Sequence, residues 1–154
     1  MSDIPSPPPR AFNCGDQDTL TWRQRADVCV DLVVKRDRSA SSQGSIADIG
    51  CGDQKLRVAL RARGVTCRYQ GYDVLPQDPE VESFDVQRDV LPIGHDLAVL
   101  LGVSEYLEDL DGVIDALARQ VPHIIVSDVL CQHNYYATER LAELKRIWLE
   151  LILI

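Results

Sequence analysis

The stretch SIADIGCGDQKL, Ser45 to Leu56, is a short apolar run that passes straight into a glycine turn. Ile46, Ala47 and Ile49 supply the apolar run, with Asp48 inside it. Gly50 and Gly52 remove the Cβ atoms that would stop the backbone turning tightly against a ligand. Beyond them, Lys55 to Arg63 has helical spacing, with Leu56 and Leu60 on one face and Gly64 placed to end it. Strand, glycine turn and helix in that order make the first half of a nucleotide-binding βαβ unit.

The residues of the turn bear on which nucleotide. The dinucleotide fingerprint needs a small residue at its third place and seats a pyrophosphate on the helix N-terminus. Here Lys55 holds that third place, and Asp53 puts an anion where the pyrophosphate would lie. Both features disfavour NAD and FAD. They suit a nucleoside without phosphates, and a cationic one best. S-adenosyl-L-methionine, with its sulfonium and ammonium groups, is such a ligand.

On these residues the chain resembles the class I S-adenosylmethionine-dependent methyltransferases. Their first motif is an acidic residue, a spacer, then glycines at alternate places. Asp48, Gly50 and Gly52 match it, with Cys51 between, and Gln54 replaces the third alternate glycine. Arg68 to Val74 is a plausible second strand ending in Asp73, about 20 residues past the turn, where a carboxylate accepts ribose hydroxyls. In Val86 to Pro92 the resemblance assigns Asp89 to the adenine amino group and the Val90 amide to the ring. Asp96 to Leu107 is an apolar run suited to a buried parallel strand and too short for a membrane span. It leads through Gly102 and Val103 into Ser104-Glu105-Tyr106-Leu107, similar to the family segment that lines the cofactor's methionine. The resemblance runs from Ile46 to about Ser127. It implies cofactor contacts from Asp48, Gly50, Cys51, Gly52, Asp73, Val74, Asp89, Val90, Gly102 and Val103.

The fold expected is a three-layer, doubly wound, mostly parallel α/β sheet of order 3-2-1-4-5. Residues 1–18 include a proline run and are expected to be extended or disordered; residues 19–154 form the domain. Thr19 to Lys35 reads as a helix with an apolar stripe of Leu20, Trp22, Ala26, Val30 and Val33 or Val34. Asp109 to Gln120 is a second helix, His123 to Ser127 a buried fifth strand, and Thr138 to about Leu149 an amphipathic helix. A full class I domain adds a hairpin of two strands after that helix. The chain stops at Ile154, so the reading is a domain without the hairpin and a bare fifth-strand edge. Three explanations stay open: a natural minimal form, a truncated product, or a homodimer that covers the edge.

Net charge is −8 and no basic stripe is present, which argues against a phosphate backbone as partner. Five cysteines without a C-x-x-C pair suggest neither a metal site nor a disulfide framework. With no charged-then-apolar leader, a cytoplasmic location is expected, away from membranes. The expected activity is methyl transfer to a small-molecule or saccharide acceptor. A cofactor-fold protein that has lost catalysis and serves as a binding scaffold is the alternative. If the acceptor needs a base, His133 is the candidate, in the loop after the fifth strand with Tyr135 and Tyr136 as pocket walls. His95 and His123 stand at the amino ends of strands and read as structural.

Overall fold

The computed structural model describes residues 19–37, 44–128 and 149–153. Helix α1 (Thr19–Asp37) is followed by β1 (Ser45–Ile49), α2 (Lys55–Ala62), β2 (Arg68–Asp73) and β3 (Val81–Ser83). Then come β4 (Leu97–Leu101), a 3₁₀ turn (Ser104–Tyr106), α3 (Leu110–Ala118), β5 (His123–Asp128) and β6 (Leu149–Leu153). The sheet order is β3-β2-β1-β4-β5-β6, and every pairing is parallel. The expected order 3-2-1-4-5 is therefore present, with one strand more.

Parallel strands covered on both faces read as continuous apolar runs, since alternate side chains must satisfy opposite layers. β4 obeys this strictly. Its Leu97 and Val99 pack with Val30, Val33, Leu56 and Leu60 of α1 and α2. Ala98 and Leu100 pack on the other face with Val113, Ile114 and Leu117 of α3. β1 divides the same way, Ile46 toward α1 and α2, Ala47 and Ile49 toward α3.

The helix ends follow local chemistry. Gly64, at φ +67°, closes α2, and the Val65 amide returns to the Leu60 carbonyl. Asp109 caps α3 by accepting from the Gly112 amide at 2.9 Å. Lys35 and Arg36 occupy the last turn of α1, the favourable end for cations.

One expectation needs correction. The fifth strand is not a bare edge: β6 pairs along it, with Ile124 opposite Leu149 and Asp128 opposite Leu153. The apolar terminus thus has its partner within the chain, and the reason for a homodimer at that edge falls away. A hairpin requires two strands, but a parallel neighbour requires one strand and a crossover of about a dozen residues. The interval 129–148 is long enough for that crossover. Leu149 is accordingly strand, while the rest of the expected 138–149 helix lies outside the described residues, as does the segment 1–18 that was expected to be extended or disordered. The third strand is Val81–Ser83, and Val86 to Pro92 is turn and loop beyond it.

Candidate functional site

In a parallel sheet the loops at the carboxyl ends of the strands form the crevice. Here that edge brings together Gly50 to Gln54 after β1, Asp73 at the end of β2, and Gly102 and Val103 after β4. The first turn is wound by three alternate left-handed residues, Gly50 (φ +70°), Gly52 (φ +50°) and Gln54 (φ +60°). Gln54, where the resembled motif has glycine, adopts the glycine conformation anyway, at a cost of about 1–2 kcal/mol. It is the lone non-glycine with positive φ among the described residues, and it is buried and holds Arg57 Nη1 at 2.9 Å.

The two glycines meet different surroundings. A Cβ on Gly50 would overlap Cγ2 of Val103, so the turns after β1 and β4 touch there. A Cβ on Gly52 would find no described atom within 4 Å, so the turn is open at that point. The amides of Gly50 and Cys51 are both taken by the Tyr72 carbonyl, at 2.7 and 3.1 Å. The Gly52 amide donates to Oδ2 of Asp73 at 2.9 Å, and Oδ1 of Asp73 accepts from the Leu75 amide at 3.0 Å. Asp73 is thereby fixed beside the open turn, and each carboxylate oxygen keeps a free lone pair for a hydroxyl donor. Val74 follows it, exposed.

Asp48 does a different job. It is 3% exposed, on the β1 face toward α1 and α2, and Oδ2 accepts from the Tyr69 hydroxyl at 2.5 Å. Burial raises its pKa to about 7, the Tyr69 hydrogen bond acting the other way and the Asp73 charge adding to the rise. Its side chain thus ties β1 to β2 just before the turn. Burial likewise pushes up the Cys51 thiol, with Asp48 and Asp73 adding to it, so this cysteine packs as an inert thiol. Asp53, in the turn, pairs with Lys55.

The β4 turn is tied to β5. Gly102 (φ +64°) donates its amide to Oγ of Ser127 at 2.8 Å, and the Ser104 hydroxyl donates to the Ser127 carbonyl at 3.2 Å. Ser127 was visible in the sequence only as the end of a strand; its anchoring role depends on the β4–β5 register, which pairs it with Leu101. Above Gly102 stand Trp22 and Arg25 of α1.

Asp89 and Val90 lie farther out. Asp89 folds back on its own turn: its amide donates to the Asp85 carbonyl at 2.7 Å and its Oδ2 accepts from the Asp85 amide at 2.7 Å. Val90 is 80% exposed. Asp85, which sequence reasoning missed, is the first acidic residue after β3, and the neighbouring Phe84 amide bonds the Asp73 carbonyl at 3.0 Å. His95 sits at the amino side of β4, bonded to Ser45 Oγ at 3.1 Å and Tyr72 Oη at 2.9 Å, a structural post. His133, Tyr135 and Tyr136 lie outside the described residues.

No protein-family model matches the chain, and no curated protein matches it in sequence. Solved structures do match in shape. The bifunctional kinase–methyltransferase WbdD superposes with TM-score 0.57 at 18% identity over 73% of this chain and 30% of its own. Magnesium protoporphyrin IX methyltransferase (ChlM) from Synechocystis PCC 6803, solved with bound S-adenosylmethionine, gives 0.59 at 18% over 79% and 66%. The plantazolicin methyltransferase BpumL, in complex with S-adenosylhomocysteine, gives 0.54 at 13% over 66% and 44%. The fold is that of the class I methyltransferases. The chain spans less than two thirds of each of these proteins, and under a third of WbdD. Among the described residues no helix is long and apolar enough to cross a membrane.

Proposed function

We propose that the chain is an S-adenosylmethionine-dependent methyltransferase that transfers a methyl group to a small-molecule or saccharide acceptor. The observation that carries this reading is the Gly52–Asp73 contact: a carboxylate held by a backbone amide beside an open glycine turn, at the crevice edge of β1 and β2. In this reading Asp73 takes the ribose hydroxyls, with Val74 beside it. Gly50, Cys51 and Gly52 form the backbone cradle, and Asp48 ties β1 to β2 just before it. Gly102 and Val103 line the amino-acid end. The adenine lies against the 85–90 turn, with Asp85 nearer the strand end than Asp89 and Val90. The acidic groups around the turn suit a cation better than a pyrophosphate.

When bound, the cofactor supplies a sulfonium methyl that is already an activated electrophile. The protein's share is to align the acceptor's nucleophile with that methyl and to exclude water. His133 is proposed as the base for acceptors that must lose a proton. The test is release of S-adenosylhomocysteine from S-adenosylmethionine, with pooled hydroxyl-bearing metabolites and saccharides as acceptors. Acceptor-dependent release supports the reading. Cofactor binding without release from any pool would favour the scaffold alternative.

A further inference from the structure

We infer that Arg57 is a positioning residue for the cofactor turn, holding Gln54 in the left-handed conformation that keeps the Gly52 amide on Asp73; the inference rests on the methyltransferase reading above. Gln54 stands at the third alternate place of the turn, at φ +60°, where a glycine would sit without strain. A glutamine persists there only where its surroundings fix it. The usual fixture is missing. Gln54 is the N-cap of α2, yet its side chain makes no bond to the first amides of that helix. Its Oε1 accepts instead from Nη1 of Arg57, one turn along α2, at 2.9 Å.

Arg57 is itself gripped from the far side. The same Nη1 donates to Oε2 of Glu80, and the guanidinium lies over the Tyr69 ring with Cζ 5.8 Å from the centroid. Glu80 is seated by both of its backbone groups. Its amide donates to Oδ1 of Asp78 at 2.8 Å, and its carbonyl accepts from Nε2 of Gln70 in β2 at 3.1 Å. Tyr69 is seated by its hydroxyl bond to Asp48. A line of contacts thus runs from the β2–β3 edge through Arg57 to the turn. Leu56 and Leu60 bury the other side of α2, so the helix cannot follow if Gln54 relaxes. The part free to move is the open turn around Gly52. Relaxation of Gln54 toward the right-handed region would carry the Gly52 amide off Asp73, where it now bonds at 2.9 Å. Arg57 therefore acts on the shape of the turn, and it is needed only while the residue at position 54 is strained.

The experiment is a double-mutant cycle on the full chain, with Arg57→Met and Gln54→Gly made singly and together and read by calorimetric titration with S-adenosylhomocysteine. In the wild-type background Arg57→Met should weaken binding about tenfold, because an unheld, strained turn is mostly away from the binding conformation. In the Gln54→Gly background the same substitution should change affinity by less than about twofold, since glycine needs no grip at positive φ. An arginine that only stabilises the fold would lower the melting temperature without this difference in affinity. Equal weakening in both backgrounds, or no weakening in the first, overturns the inference. Should Arg57→Met not fold, Glu80→Ala, at a side chain 64% exposed, removes the far grip and enters the same cycle. A smaller loss is then expected in the first background and none in the second, and the same two results overturn the inference. Failure of the wild type to bind S-adenosylhomocysteine would instead overturn the methyltransferase reading, and this inference with it.

Discussion

Asp48 is the residue whose replacement the structure predicts most quantitatively. Its pKa rises from 3.8 to about 7 in the fold, burial being the main cause. Between these values the folded protein holds a proton that the unfolded chain has released. Stability therefore falls as pH rises from about 4 to about 7 and is level above that. At about 1.4 kcal/mol per pH unit the full penalty is on the order of 4 kcal/mol, and more than half of it accrues between pH 5 and pH 8. Asp48→Asn keeps the size of the side chain and an oxygen for the Tyr69 hydroxyl but cannot ionise. The asparagine amide introduces buried N–H groups, whose cost does not depend on pH. Urea denaturation of both proteins at pH 5 and pH 8 isolates the titration, because every pH-independent packing change cancels in the difference. Relative to wild type, the variant should gain on the order of 2–3 kcal/mol on going from pH 5 to pH 8. A wild-type-to-variant gap that is the same at both pH values would refute the argument that burial governs this carboxylate.

The glycines give a paired test of strain. Gly102→Ala places a Cβ into the Trp22 ring at φ +64° and should cost about 2–4 kcal/mol, whereas Gly52→Ala, with open space at φ +50°, should cost about 1 kcal/mol in thermal melts. Equal losses would mean Trp22 is not seated on Gly102. Asp73→Ala should weaken S-adenosylhomocysteine binding by about 1.5–3 kcal/mol in calorimetry, and unchanged affinity would place the ribose elsewhere. His95 is held below the usual imidazole pKa, by burial first and then by Arg68. Its contribution to stability is present above an unfolded value near 6.5 and lost as pH falls. Against wild type, His95→Gln should therefore show less loss of melting temperature from pH 7.5 to pH 5; an identical loss would remove His95 from the acid response.

The core of the fold was legible because its signals are local. The glycines at 50, 52 and 64 mark places where backbone twist is demanded, and the two-sided burial of β4 writes itself as an unbroken apolar run. Gln54 was less so: a glutamine in a left-handed turn is specified by its neighbours, Gly52 before it and the Arg57 bond after it, and its own residue type gives no sign of it. β6 was misread because strand pairing is non-local; the apolar run at 149–153 announces a strand but not its partner. The bounds of β3 were not legible, because a three-residue strand carries too little periodicity to mark them. Arg25 was invisible for a related reason. A charged residue on an amphipathic helix reads as solvated, and only the packed structure shows it buried beside Gly102 with a nitrogen left over among the described residues.

The central claim is that the crevice at the ends of β1, β2 and β4 takes S-adenosylmethionine and not a dinucleotide. Parallel calorimetric titrations of the full chain with S-adenosylhomocysteine and NAD test it most directly. The account predicts micromolar, one-to-one binding of S-adenosylhomocysteine and none of NAD. Binding of NAD alone, or of neither, would contradict it.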